Sequence, residues 1–236
     1  MRIPAFYVLV EALCALLGLA GAALLIQGMP LADALGWTLF ALAAVPIALI
    51  DWERFEIPDA LVFWTLIFGF AARTAAGDDH IQSFLATGRD ALLAAGALYA
   101  LHFLSRFLVG VWGGLVRALL PSGIRWSWRR GWKKDLLLAF LRWGRFHPDM
   151  EALGLGDVSL GMAAGACLGF PSVALGLAPA AVLGVGGYAL RKRFPPSRSA
   201  VDLGLDSQAV PFGPFLCMGF LLASLWIRFS GGFLPL

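Results

Sequence analysis

The chain has 236 residues, of which 60% are hydrophobic and 14% are charged, and its formal net charge is +3. A mean hydropathy of +0.80 excludes an ordinary soluble globular domain, in which about 25% of residues are charged. The apolar runs are continuous and show no strand-like alternation, which excludes a transmembrane barrel and leaves helices as the spanning elements.

Seven apolar stretches are candidates for crossing a bilayer, which takes about 20 residues of helix. In chain order they run roughly from Ala5 to Gln27, Ala32 to Ile50, Ile57 to Ala76, Asp90 to Val109 with an apolar extension to Leu120, Val158 to Phe170, Ser172 to Leu190 and Phe212 to Phe229. The fifth is short and rich in glycine, so we expect it to be tilted, buried among its neighbours or continuous with the sixth through Pro171.

The first stretch carries only Arg2 before it and lacks a small-residue cleavage site, so we expect a retained helix and not a removed signal peptide. Together the seven stretches predict an all-α fold: a polytopic transmembrane helical bundle of about seven spans. We expect one membrane-embedded domain over residues 1–236.

Basic residues are distributed unevenly among the connections, and this bias predicts the orientation. The connections from about Arg117 to His147 and from Arg191 to Pro211 hold most of the Lys and Arg residues. Both connections should be cytoplasmic. Two predicted spans lie between them, and an even number of spans returns the chain to the same side of the membrane. The N-terminus is then predicted in the cytoplasm. Orientation and attraction to anionic lipid account for the positive charge, so we expect a lipid bilayer as partner and no nucleic acid.

Two aspartates, Asp51 and Asp157, lie at the predicted cytoplasmic ends of the second and fifth spans. An ionisable group retained near lipid is costly and marks a functional site by default. Two aspartates that hydrolyse a peptide bond must share one proton: one activates water and the other polarises the carbonyl oxygen. Closely spaced carboxyls titrate as a pair, which favours this state. We therefore predict that Asp51 and Asp157 form an acid/base pair.

The residues beside each aspartate suggest how a substrate is accommodated. Gly154 and Gly156 stand just before Asp157, and glycine allows close backbone approach and positive φ, so an extended substrate could lie against this turn. Pro58 begins the third span, where its missing N–H costs nothing. Asp59 suits a helix N-terminus, either as a helix-start charge alone or as part of the site.

Three separated segments carry a family resemblance. They are Asp51 with Pro58 and Asp59; Gly154-Leu155-Gly156-Asp157; and Pro211-Phe212-Gly213-Pro214, which opens the last helix. In order and position these segments resemble the type IV prepilin peptidases, which are membrane aspartyl proteases of the GxGD type. The resemblance covers the chain from about Leu35 to the C-terminus, apart from residues 119–150.

The resemblance implies that Asp51 and Asp157 are the catalytic pair and that the residues around them shape the site. It also implies cleavage of the basic leader of type IV prepilin or pseudopilin-like precursors, as in type IV pilus and type II secretion systems. The expected location is the cytoplasmic face of the bacterial inner membrane. No cofactor is implied, and the oligomeric state is not predicted.

The chain departs from the family pattern at two places. Family members usually carry Lys two residues after the second aspartate, where this chain has Ser159. Members that also methylate their product have a cysteine-rich cytoplasmic domain near the N-terminus, whereas only Gly28 to Leu31 join the first two spans here. We expect no fused methylation module.

Residues 119–150 form a basic, Trp-rich insertion, predicted to be cytoplasmic, in which Lys133 to Phe146 is compatible with a short interfacial helix. One interpretation is a connector that rests on the membrane; another is a lid over the aspartates. Its positive charge argues against direct binding of a basic leader.

Other functions remain open alternatives. A non-catalytic assembly protein, or a transporter that uses the two carboxylates for protons or cations, would also retain buried acids. A presenilin-like protease is disfavoured by the form of the first motif. A metal site is not expected, because Cys14, Cys167 and Cys217 form no CxxC pair and are interpreted as packing residues.

Overall fold

The structure is a computed structural model that describes residues 5–119, 154–191 and 211–230. All regular structure in these ranges is helical, which confirms the all-α prediction. The helices are α1 (Ala5–Ile26), α2 (Leu31–Arg54), α3 (Asp59–Ala75), α4 (His80–Leu119), α5 (Leu155–Leu168), α6 (Phe170–Arg191) and α7 (Gly213–Phe229). The predicted insertion at 119–150, with its interfacial helix, lies almost entirely outside the described residues.

Three described helices contain stretches that are long and apolar enough to cross a membrane: Leu31–Arg54, His80–Ser105 and Phe170–Gly187. Three shorter apolar helical stretches accompany them: Val10–Ile26, Leu155–Leu168 and Gly213–Phe229. The protein is therefore a membrane-embedded helical protein. The count of seven spans and the cytoplasmic N-terminus stay predictions.

The helix ends differ from the predicted spans mainly at α4, which starts at His80 and not near Asp90. Asp79 Oδ1 accepts hydrogen bonds from the N–H groups of Ile81 (3.0 Å) and Gln82 (3.1 Å). Such a carboxylate satisfies orphan donors of the first turn and stabilises the helix start. The hydropathy pattern underestimated α4 because its first turns are polar.

The described residues belong to two compact units, one formed by Met1–Leu98 with Leu155–Leu236 and the other by Tyr99–Gly154. In the second unit the described part is the C-terminal portion of α4 together with Gly154. There the rings of Tyr99 and His102 stack with centroids 6.1 Å apart. The Ser105 hydroxyl donates to the carbonyl oxygen of His102 at 2.8 Å.

In the first unit α5 is the central helix, and it contacts α2, α3, α6 and α7. Small side chains make this possible. A Cβ built on Gly165 would lie 2.7 Å from the Ala94 Cβ, and one built on Gly161 would overlap the Leu98 side chain. This Gly-x-x-x-Gly face lets two helices approach closely inside a membrane, where close packing drives association.

A break separates α5 from α6 at Gly169, which has φ +84. Glycine adopts this left-handed conformation without a steric penalty. Most of α5 is buried, which is one of the alternatives expected for the fifth span, and the helix is not continuous with α6. A tilt in the bilayer stays a prediction.

Helices α2 and α7 are antiparallel and are joined at both ends. At one end Arg228 Nη2 lies 3.1 Å from Asp33 Oδ2. At the other end the N–H of Gly213 donates to Asp51 Oδ2 at 3.0 Å. This pairing places the C-terminus of α2 against the N-terminus of α7, where the candidate site is found.

A partly buried ion pair joins α3 to α4 near the C-terminal end of α5. Arg73 Nη1 lies 3.2 Å from Asp90 Oδ2 and donates to the carbonyl oxygen of Gly165 at 3.5 Å. Arg89 also reaches Asp90, at 3.2 Å. These contacts link α3, α4 and α5. They lie near the C-terminus of α5, at the opposite end of that helix from Asp157.

Candidate active site

Asp51 lies in the last turn of α2 and is only 5% exposed. Its carboxylate accepts a hydrogen bond from the N–H of Gly213, the first residue of α7. That N–H has no partner within its own helix, because the first four donors of a helix are orphans. The positive end of the α7 dipole also favours a negative group there. The start of α7 therefore orients the Asp51 carboxylate.

The chain turns sharply after Asp51 because α2 ends at Arg54 and the next residue, Phe55, changes the backbone direction. Phe55 is in the left-handed conformation, with φ 58 and ψ 32, and its N–H donates to the carbonyl oxygen of Asp51 at 2.9 Å. Such a conformation is unusual for a bulky residue and must be held by its surroundings. The turn directs the following residues back towards the bundle.

Asp157 lies in the first turn of α5 and is 7% exposed. Like the Asp51 carboxylate, it stands at a helix N-terminus, where a negative charge is favoured. Ser159, at the position where family members usually have Lys, donates its hydroxyl to the carbonyl oxygen of Gly156 at 2.8 Å. The serine therefore bonds within its own helix.

Cys217 relates the two aspartates to each other. It lies one turn beyond Gly213 on α7, is 2% exposed, and is within electrostatic range of both Asp51 and Asp157. The charges of two carboxyl groups that are distant in sequence therefore both act on one side chain of α7. The sequence prediction treated Cys217 only as a packing residue, and its position one helical turn from Gly213 was the signal that could have placed it here.

Ile57 was not among the predicted site residues, yet it contacts two of the predicted glycines. A Cβ built on Gly156 would have the Ile57 Cβ (3.1 Å), Cδ1 and Cγ1 as its three nearest neighbours. A Cβ built on Gly213 would lie 2.7 Å from Asp51 Oδ2 and 3.3 Å from Ile57 Cδ1. Its place directly before Pro58, inside the first motif, was the signal that could have found it.

These contacts change the interpretation of the glycines next to Asp157. Among the described residues positive φ occurs only at Gly28, Phe55 and Gly169, so neither Gly154 nor Gly156 uses the left-handed freedom expected of it. Gly156 lies inside α5, and because it has no side chain the Ile57 side chain can pack closely against it. Gly154 directly precedes the helix and is half-buried.

The Pro-Asp pair of the first motif opens α3, one residue later than predicted. Pro58 is the residue before the helix, with φ -72 and ψ 108, and Asp59 is in its first turn. Asp59 is exposed, so its carboxylate is not buried beside Asp51. A favourable helix-start charge accounts for this position.

The Pro-Phe-Gly-Pro segment opens α7, as the sequence predicted. Pro211 is buried, Phe212 precedes the helix, and Pro214 lies in its first turn. The Phe212 ring packs against Gly184 of α6, where a built Cβ would lie 3.0 Å from the ring. Phe212 therefore attaches the start of α7 to α6, while Gly213 contacts Asp51.

Within residues 5–119, 154–191 and 211–230, no group of three or more His, Cys, Asp or Glu side chains is arranged to hold a metal ion. The arrangement in this part of the chain is instead a pair of buried carboxylates at two helix starts. Such a pair is suited to proton transfer to and from a bound molecule.

Residues 37–189 match the type IV leader peptidase family. The matched stretch contains Asp51 and Asp157 and ends before Pro211. No curated protein and no solved structure gives a significant match. Because the family match covers more than half of the chain, it confirms the family suggested by the motifs: this membrane-embedded protein belongs to the type IV leader peptidase family and is a protease of that general kind.

Proposed function

We propose that the protein is an aspartic endopeptidase in which Asp51 and Asp157 are the catalytic pair. The observation that carries this proposal is that two buried carboxylates flank one side chain, Ile57, which lies beside Gly156 next to Asp157 and beside Gly213, whose N–H donates to Asp51. Both acids lie inside the family match. Burial of two acids at one place is costly unless they interact or share a proton.

In the proposed reaction one aspartate is ionised and the other carries the shared proton. The ionised carboxylate takes a proton from water as the water oxygen attacks the scissile carbonyl carbon, and the protonated aspartate gives its proton to the carbonyl oxygen. Collapse of the tetrahedral intermediate breaks the C–N bond, and the leaving amine receives a proton from the pair. The Gly213 N–H holds one carboxylate in a fixed orientation during these steps, which lowers the entropic cost of the reaction.

The proposed substrates are type IV prepilin or pseudopilin-like precursors, cleaved after a basic leader at the cytoplasmic face of the bacterial inner membrane. The negative charge of the segment that follows Asp51 supports a basic substrate. Its exposed charged residues are three acids, Glu53, Glu56 and Asp59, and one base, Arg54. The basic connections on either side of the α5–α6 pair support the cytoplasmic orientation.

Co-expression with a type IV prepilin tests the proposal. We expect Asp51→Asn and Asp157→Asn each to abolish leader removal, while both proteins still insert into the membrane. Asp33→Asn is the matched control, because Asp33 lies at the far end of α2 and pairs with Arg228; it should process the precursor normally. Retained cleavage in either active-site variant would remove that aspartate from the mechanism and favour a non-catalytic role for the pair.

A further inference from the structure

Ile57 lies between the two helix starts that carry the site. Its side chain supplies the three atoms nearest to a Cβ built on Gly156, which immediately precedes Asp157 in the first turn of α5. Its Cδ1 atom also approaches Gly213, whose N–H holds Asp51. One side chain therefore contacts the first turn of α5 and the first turn of α7.

The local backbone makes Ile57 a rigid spacer. A residue before proline is restricted to extended conformations, and Pro58 itself has a fixed φ. The β-branched side chain of isoleucine also has few accessible χ1 rotamers. On the other side, the turn at Phe55 fixes where the segment leaves α2. The glycines at 156 and 213 bring the backbones of both helices against this spacer.

We propose that Ile57 is a positioning residue that sets the distance between the Asp51 and Asp157 carboxylates by separating the starts of α5 and α7. The inference rests on the proposed function, because that distance matters for catalysis only if the two acids share a proton. Ile57 acts through the helices and takes no part in proton transfer.

Leader cleavage by the purified protein, with a prepilin carrying a basic leader, provides the first test. Ile57→Ala should lower kcat by about 10- to 100-fold, as expected for a small displacement of reacting groups, and should alter the pH profile of kcat, which reports the coupled pair. Ile57→Val should retain most activity. Val62→Ala is the matched control, since Val62 is a buried apolar residue of α3; it should leave the pH profile unchanged.

A double-variant cycle separates spacing from general packing. Gly156→Ala adds a methyl group where the Ile57 Cβ is only 3.1 Å away, so it should widen the gap and lower kcat. Combined with Ile57→Gly, which unlike Ile57→Ala also removes the Cβ at 3.1 Å, the same substitution should be partly tolerated relative to Ile57→Gly alone, because the added methyl group then meets no tight contact. Multiplicative losses in the double variant, with an unchanged pH profile for Ile57→Ala, would overturn the proposal.

The distance itself can be measured without any cleavage. Asp51→Cys and Asp157→Cys are combined in a protein whose Cys14, Cys167 and Cys217 are replaced by Ala, and the pair is treated with bis-methanethiosulfonate linkers of graded length. Ile57→Ala should change the linker length that joins the two sites best, and an unchanged length would refute the positioning role. If the wild-type protein cleaves no prepilin, the proposed function fails, whereas the linker result still decides whether Ile57 sets the spacing.

Discussion

Gly213→Ala is the sharpest test of the site geometry. The Gly213 N–H donates to the Asp51 carboxylate, and the absence of a side chain at Gly213 leaves room for that carboxylate. The added Cβ would lie 2.7 Å from Asp51 Oδ2 and 3.2 Å from its Cγ. Since optimal heavy-atom contacts are near 3.5 Å, the carboxylate would have to retreat by roughly 0.5–1 Å. That movement lengthens the 3.0 Å hydrogen bond from the Gly213 N–H beyond its useful range.

The expected effect on stability is smaller than the effect on activity. A lost hydrogen bond to a charged group costs about 1.5–3 kcal/mol, while alanine gains up to about 1 kcal/mol over glycine in a helix. Subtracting the gain from the loss leaves a net destabilisation of about 0.5–2 kcal/mol. Displacement of a catalytic group by about 1 Å should lower kcat by about 100-fold.

The assay compares prepilin cleavage and thermal unfolding of purified Gly213→Ala with those of Gly186→Ala. Gly186 belongs to α6, and a Cβ built on it has nothing within 4 Å, so the same chemical change occurs in open space. Gly186→Ala should keep full activity. Equal activity in the two variants would show that the Gly213 contact with Asp51 does not orient the carboxylate for catalysis.

The other expected outcomes concern ionic contacts away from the carboxylate pair. Arg73→Ala should destabilise the protein by up to about 3 kcal/mol, because it leaves the buried Asp90 carboxylate with only the exposed Arg89 as an ion-pair partner among the described residues; an unchanged unfolding temperature would contradict this. Arg228→Gln should cost less than about 1 kcal/mol in a denaturation experiment, since both members of its pair with Asp33 are partly exposed; a loss comparable to that of Arg73→Ala would contradict it. Asp59→Asn should retain most prepilin cleavage because Glu53 and Glu56 still present exposed negative charge in the same segment; complete inactivation would place Asp59 in the mechanism.

Hydropathy and motif spacing were sufficient to predict several features. Continuous apolar runs require helices in lipid, so the helical class followed directly, and most helix ends were located within a few residues. The start of α4 was placed too late because hydropathy does not detect a polar first turn capped by Asp79. The acids at the ends of apolar segments marked a candidate site, and the family was suggested by the resemblance of three motifs, two of which contain Asp51 and Asp157.

Only the tertiary structure could show how the motifs meet. Asp51 and Gly213 are 162 positions apart, and their contact depends on the antiparallel packing of α2 and α7. Gly156 was interpreted from sequence as part of a turn that an extended substrate could lie against, yet it lies in a helix and is approached closely by Ile57.

The sequence by itself determined that this is a helical membrane protein with two unusual acids in motifs of a leader peptidase, because composition and local spacing carry that information. The tertiary structure decided that Asp51 is held by the start of α7 and that Ile57 stands between the two helix starts. Such contacts depend on which small residues allow helices to approach and on where each helix begins. Those properties arise from the packing of the whole bundle.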